Sequence, residues 1–267
     1  MSLVDTSSED KKKQTPFQEL VDLYDRYGGE KYMIQEEITQ YDHALQSAYI
    51  ALLCGAPDEI IIGLLYHDIG QLTNKTLVGK ADKLHGSHAE IGGEWMYNRG
   101  FPEVVCDLVK YHALAKCILC VDDSKGKYFN NLSLASKISF GIQIKKYSKE
   151  DFAKFRKIPY ASDILYARKC DDMAKITKFS SVTAKGSTTK DSSTLPSFDF
   201  YEGLVNKVFS GRYLKYLPYN NYNQNASSQK WKENVDKFYN MMSEDRTKFE
   251  TYIQNLKPAF TDFEKIY

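Results

Sequence analysis

The chain has 267 residues, 42% hydrophobic and 13% aromatic, enough for one sizeable core with an appendage or for two modest domains. Thirty-six Lys and Arg stand against 35 Asp and Glu, a formal charge of +1, so no global field draws the chain onto nucleic acid or an anionic membrane. The opening MSLVDTSSEDKKKQ lacks the apolar heart of a signal peptide, and no later run is apolar enough to span a bilayer, so a cytoplasmic protein is expected.

Residues 1 to 14 are polar and charged and read as a disordered tail. Pro16 behind Thr15 opens a helix, with Phe17, Leu20, Val21, Leu23 and Tyr24 at three- and four-residue spacing until Gly28-Gly29. A loop over 28 to 39 follows, then a helix from about Tyr41 to Leu53 that stops at Gly55. Pro57-Asp58-Glu59 opens a third helix, roughly 57 to 68, whose run IIIGLLYHD is apolar on every side; it delivers His67-Asp68 into the core.

The spacing predicts a loop over 69 to 86, a helix from His88 to Asn98, and another from Pro102 through His112 and beyond. LSLASKISFGIQIKKY is helical by period, although its alternating Ile residues leave a strand open. A further helix is expected over 160 to 178. The stretch KFSSVTAKGSTTKDSSTLP then marks a Ser/Thr-rich linker or loop, 179 to 196. Residues 197 to 267 are aromatic, helical and free of His, and read as a capping or self-associating extension. The reading is an all-α protein with its main domain over 15 to 178.

Five cysteines (Cys54, Cys106, Cys117, Cys120 and Cys170) form an odd set on helix-like segments and read as reduced thiols. Cys117-x-x-Cys120 has no second Cys pair or nearby His to close a tetrahedral site, so it reads as packing. The histidines behave differently. All five lie between positions 43 and 112, mostly where helices begin or end, and a His followed directly by Asp can offer imidazole to one divalent ion and a bridging carboxylate to a second.

EEITQYDHALQSA (36 to 48), LLYHDIGQL (64 to 72), HAEIGGEWM (88 to 96), YHALAK (111 to 116) and ARKCDDMAK (167 to 175) together resemble the HD-domain mixed-valent diiron oxygenases that break C–P bonds in 1-hydroxy-2-aminoalkylphosphonates, with inositol oxygenase a more distant likeness. The resemblance covers roughly residues 15 to 178 and implies an HD-domain helical bundle holding two irons (Fe2+/Fe3+). It implies that His43, His67, Asp68 and Asp171 hold one, and that His88, His112 and the bridging Asp68 hold the other. His85 competes with His88, and Asp172 with Asp171; HAEIGG favours His88, and Lys175, four residues on, favours Asp171.

The same resemblance assigns Lys116, one turn after His112, together with Ser139 and Gln143, to the phosphonate. It makes Tyr32 a gate that substrate displaces and Glu36 the grip on the substrate amine, although Tyr32 stands four residues before Glu36 where the family has three, and Glu37 competes. Gln71 replaces the second His of the family's HDIGH, so a substrate group held there meets a neutral amide. The implied partners are a small phosphonate and dioxygen, without nucleic acid or membrane. The alternatives are an HD-type phosphohydrolase acting on a nucleotide or other phosphomonoester, and a helical scaffold with a relict metal site.

Overall fold

The computed structural model describes residues 14–31, 37–75, 88–177, 179–180, 195–210 and 226–256. Tyr32, Glu36 and His85 lie outside the described residues, as do positions 1–13 and most of the Ser/Thr-rich stretch. Secondary structure among the described residues is helical apart from isolated bridge positions, Lys31 paired with Thr39 among them.

Helix α1 (Pro16–Tyr27) begins where the sequence places it: the Thr15 and Gln18 side chains each take the other's backbone N–H in a capping box. Helix α2 (Gln40–Cys54) is capped by Thr39 and stops at Gly55, whose φ of 76° is the left-handed conformation that glycine adopts at least cost. Helix α3 (Asp58–Tyr66) is buried along Ile60 to Tyr66. Its successor departs from expectation. Residues 69 to 75 form a helix, α4 (Ile69–Lys75), where a loop was predicted, because Ile69 and Leu72 bury one face that the short polar run conceals.

Helices α5 (His88–Arg99) and α6 (Glu103–Asp122) pack closely along each other, and α4 crosses α5. Short helices α7 (Lys127–Asn131) and α9 (Lys149–Phe155) flank α8 (Leu134–Gln143), so the Ile-alternating run is helix and not strand. Its Leu134, Ile138 and Ile142 lie exposed at four-residue spacing. Helix α10 (Ala161–Met173) stops five residues short of its predicted end. There Gln46 of α2 captures the departing chain, accepting from Ile176 N–H at 2.8 Å and donating to the carbonyls of Ile176 and Phe179 at 2.9 and 2.7 Å.

Helices α2, α3, α6 and α10 form the centre. Helix α11 (Glu202–Ser210) lies on α3 and α1, while α12 (Ala226–Glu244) lies on α10 and α2 and carries α13 (Arg246–Asn255). Trp231, Val235 and Phe249 are buried there, in one continuous core with the N-terminal helices. No described helix is long and apolar enough to cross a membrane.

Candidate metal centre

Five helices and one tight link aim their polar groups at a single place. His43 stands in the first turn of α2, His67 at the end of α3, Asp68 in the link to α4, His88 at the first position of α5, His112 midway along α6, and Asp171 in the last turn of α10. All six are buried.

Asp68 divides them into two groups. Its Oδ2 lies 3.2 Å from His67 Nε2 and 3.8 Å from His43 Nε2, and its Oδ1 lies 3.3 Å from His88 Nε2 and 3.7 Å from His112 Nε2. Asp171 Oδ1 joins the first group at 3.2 Å from His43 Nε2. Two sets, His43 with His67 and Asp68, and Asp68 with His88 and His112, therefore have the donor types and convergence for an ion each.

The ring protons set what the site can hold. His43, His67 and His112 place Nδ1 at 2.7, 2.6 and 2.7 Å from the carbonyls of Ala174, Leu64 and Val109, which only accept, so each Nδ1 carries a proton and Nε2 is left to face inward. Inside, His43 Nε2 then meets His67 Nε2 at 3.1 Å, and His88 Nε2 meets His112 Nε2 at 3.1 Å. Asp68 Oδ2 and Asp171 Oδ1 are buried without a donor among the described residues. Lone pairs and carboxylates crowded this way need positive charge between them.

The carboxylates draw positive charge toward one ring. Burial pulls His67 down, but the Asp68 and Asp171 carboxylates outweigh it and carry its pKa to about 9. Burial and the neighbouring His88 push His112 down to about 3, leaving it a neutral donor. Burial disfavours the Asp68 carboxylate, yet the His67 and His88 rings hold its pKa well below the usual carboxylate range. The residues fit a pair of divalent ions.

Asp171 and Asp172 are separated by what holds them. Arg168, one turn earlier on α10, donates to Asp171 Oδ2 at 2.5 Å and also pairs with Asp172 Oδ1. Tyr128 of α7 takes the other oxygen of Asp172, so that Asp172 is spent on structure and Asp171 Oδ1 is aimed at His43. Arg168 escaped the sequence reading; the only trace was an arginine three residues before a paired aspartate in ARKCDD.

One turn after His112 and after Asp171 stand two buried lysines, Lys116 and Lys175. Lys116 Nζ donates to Ser139 Oγ at 2.6 Å, and Lys175 Nζ donates to Ser136 Oγ at 2.6 Å and Ser133 Oγ at 3.0 Å, all three serines belonging to the start and first turns of α8. Gln143 is buried on the same helix, its Oε1 without a partner among the described residues. Burial, then the cations of Arg168 and Lys175, push the Lys116 pKa down to about 7 against the opposing carboxylates of Asp172 and Asp171. In the sequence Lys175 serves only as a spacing marker; the structure sets it against the serines of α8, close to Lys116. Gln71, expected against a substrate head group, here donates to Asp68 Oδ1 at 2.8 Å and accepts from Gln40 at 2.8 Å. Cys117 is buried, and burial raises its thiol to about 11, which keeps it protonated and inert.

Over 153 residues the chain is 38% identical to a 1-hydroxy-2-(trimethylamino)ethylphosphonate dioxygenase (glycine-betaine-forming) of Leisingera caerulea, a match spanning 57% of this chain and 76% of the relative. A hydroxymethylphosphonate dioxygenase of Gimesia maris is 30% identical over 184 residues, 66% of this chain and 86% of the relative. An uncharacterised protein of Acanthamoeba polyphaga mimivirus is 28% identical over 159 residues, 59% of this chain and 71% of the relative. No protein-family model matches.

Proposed function

The chain belongs to the family of phosphonate dioxygenases, and from that premise we propose that it uses dioxygen to cleave the C–P bond of a small 1-hydroxy-2-aminoalkylphosphonate. Phosphate and an amino acid are the products. The balance requires both oxygen atoms: R–CH(OH)–PO3(2−) plus O2 gives R–COO(−), HPO4(2−) and a proton, with C–H and C–P broken and one oxygen gained by carbon and one by phosphorus. The two named relatives act on phosphonates whose phosphorus-bearing carbon carries a hydroxyl.

The observation that carries the reading is the juxtaposition of two donor sets sharing Asp68 with the buried lysines Lys116 and Lys175. In it, His43, His67, Asp68 and Asp171 hold one iron, and Asp68, His88 and His112 the other. Bound there, an Fe2+/Fe3+ pair supplies one-electron chemistry toward dioxygen that protein side chains lack. The chain's own residues do the rest. Lys116, with Ser139 and Gln143, receives the phosphonate oxygens, and the ammonium of Lys175, held by Ser133 and Ser136 one turn earlier on α8, adds a second charge. The Nδ1 carbonyl contacts fix the His43, His67 and His112 rings, and the apolar centre around Ile60 to Leu65 keeps bulk water out. Glu36 and Tyr32 are the proposed contacts for the substrate amine and the gate.

The test is oxygen uptake with phosphate release after anaerobic reconstitution with ferrous iron, using 1-hydroxy-2-aminoethylphosphonate, its trimethylammonium analogue and hydroxymethylphosphonate. Stoichiometric oxygen uptake and phosphate release with a hydroxyphosphonate is expected. Phosphate released from nucleotides without oxygen, and none from the phosphonates in air, would overturn it.

A further inference from the structure

Asp68 is held by more than the histidines. Gln71, one turn beyond it on α4, donates Nε2–H to Asp68 Oδ1 at 2.8 Å, and Gln40 of α2 donates to Gln71 Oε1 at 2.8 Å. Gln40 is buried and stands three residues before His43. A run of two amides thus links the start of the His43 helix to one chosen oxygen of the shared carboxylate. The other oxygen, Oδ2, receives no such donor among the described residues.

We propose that Gln71 is a positioning residue that orients Asp68 for the His88/His112 position, with Gln40 fixing which end of the Gln71 amide faces the carboxylate; this rests on the metal reading given above. The two positions depend on Asp68 unequally. The His43 position has His43, His67 and Asp171 besides Oδ2, while the His88 position has only His88, His112 and Oδ1. A carboxylate free to swing away from its Gln71 hydrogen bond therefore costs the second position a third of its protein donors and the first a quarter. The direction of the amide matters as well. An acceptor placed at position 40 would turn Gln71 round, so that its carbonyl faced the Asp68 carboxylate and repelled it.

The experiment is a Co2+ titration of the metal-free full-length chain followed by visible absorption, alongside melting of the metal-free protein. The unaltered chain takes two equivalents. Gln71→Met, which keeps the volume and removes the donor, weakens the second equivalent by roughly 10- to 100-fold and leaves the first within about 2-fold. Gln40→Glu, at a residue outside both donor sets, weakens the same equivalent alone. A merely structural role would lower melting or weaken both equivalents together, and that result, or two unchanged equivalents in Gln71→Met and Gln40→Glu, overturns the inference while leaving the function standing. Fewer than two equivalents in the unaltered chain overturns both.

Discussion

At Asp171 one carboxylate oxygen goes to Arg168 and the other is left for His43, whereas at Asp172 Arg168 and Tyr128 take both. Adjacent residues of one type are thus given different work by helical phase and by a neighbour from α7. Asp171→Asn is expected to weaken metal at the His43 position by at least roughly 100-fold, with Asp172→Asn retaining it, as metal analysis after dialysis will read. Lys116 offers a second test at this scale. Its pKa of about 7 lies below its ordinary 10.5, so folding withholds a proton between those values, and its contribution to stability rises with pH across that window. A bound phosphonate reverses the balance by favouring the ammonium. Substrate affinity is therefore expected to fall as pH rises above about 7, and Lys116→Arg, which stays charged, to remove that part of the fall in a KM-against-pH profile.

Among the elements, α4 meets α5, and α5 meets α6, at glycines where a side chain would not fit. A Cβ on Gly70 would lie 2.0 Å from the carbonyl oxygen of His88, and one on Gly93 would lie 2.6 Å from Cβ of Lys110 on α6. These contacts bring the start of α5 against Asp68 and draw α5 onto the helix of His112. Gly70→Ala must push α5 away, and its expected effect is loss of metal at the His88 position with the His43 position kept, measurable as one ion per chain in place of two. The early end of α10 works in the same way: by leaving the helix at Ala174, the chain frees that carbonyl to take His43 Nδ1–H.

Over the whole molecule the C-terminal helices are part of the same core. Lys169 and Tyr166 of α10 meet Asp236 of α12, Tyr239 stacks on Tyr128, and Arg246 of α13 donates to the carbonyl of Lys175 at 3.1 Å. The segment that supports His43 is therefore held by α2 on one side and α13 on the other. Because the ion positions draw on five places in the chain, metal binding is folding energy: an ion at a hundredfold above its Kd adds about 2.7 kcal/mol. Chelation is expected to lower the melting temperature by roughly 5–10 °C in a calorimetric scan, and reloading to restore it.

The sequence by itself determined the helices with strong local signals, from the Thr15 capping box to the Gly55 stop, because caps and periodicity act over one or two turns. Through resemblance it also named the six buried side chains that converge, since the order H, HD, H, H, D is linear information. Only the tertiary structure decided how they meet. That Gln71 turns to Asp68, that Asp172 is consumed by Tyr128, that Lys175 joins the serines of α8, and that residues 69 to 75 coil into a helix all depend on partners 3 to 44 positions away in the chain. Hydrogen-bond direction and close packing are set by neighbours in space, and a linear pattern carries no record of which lone pair faces which donor.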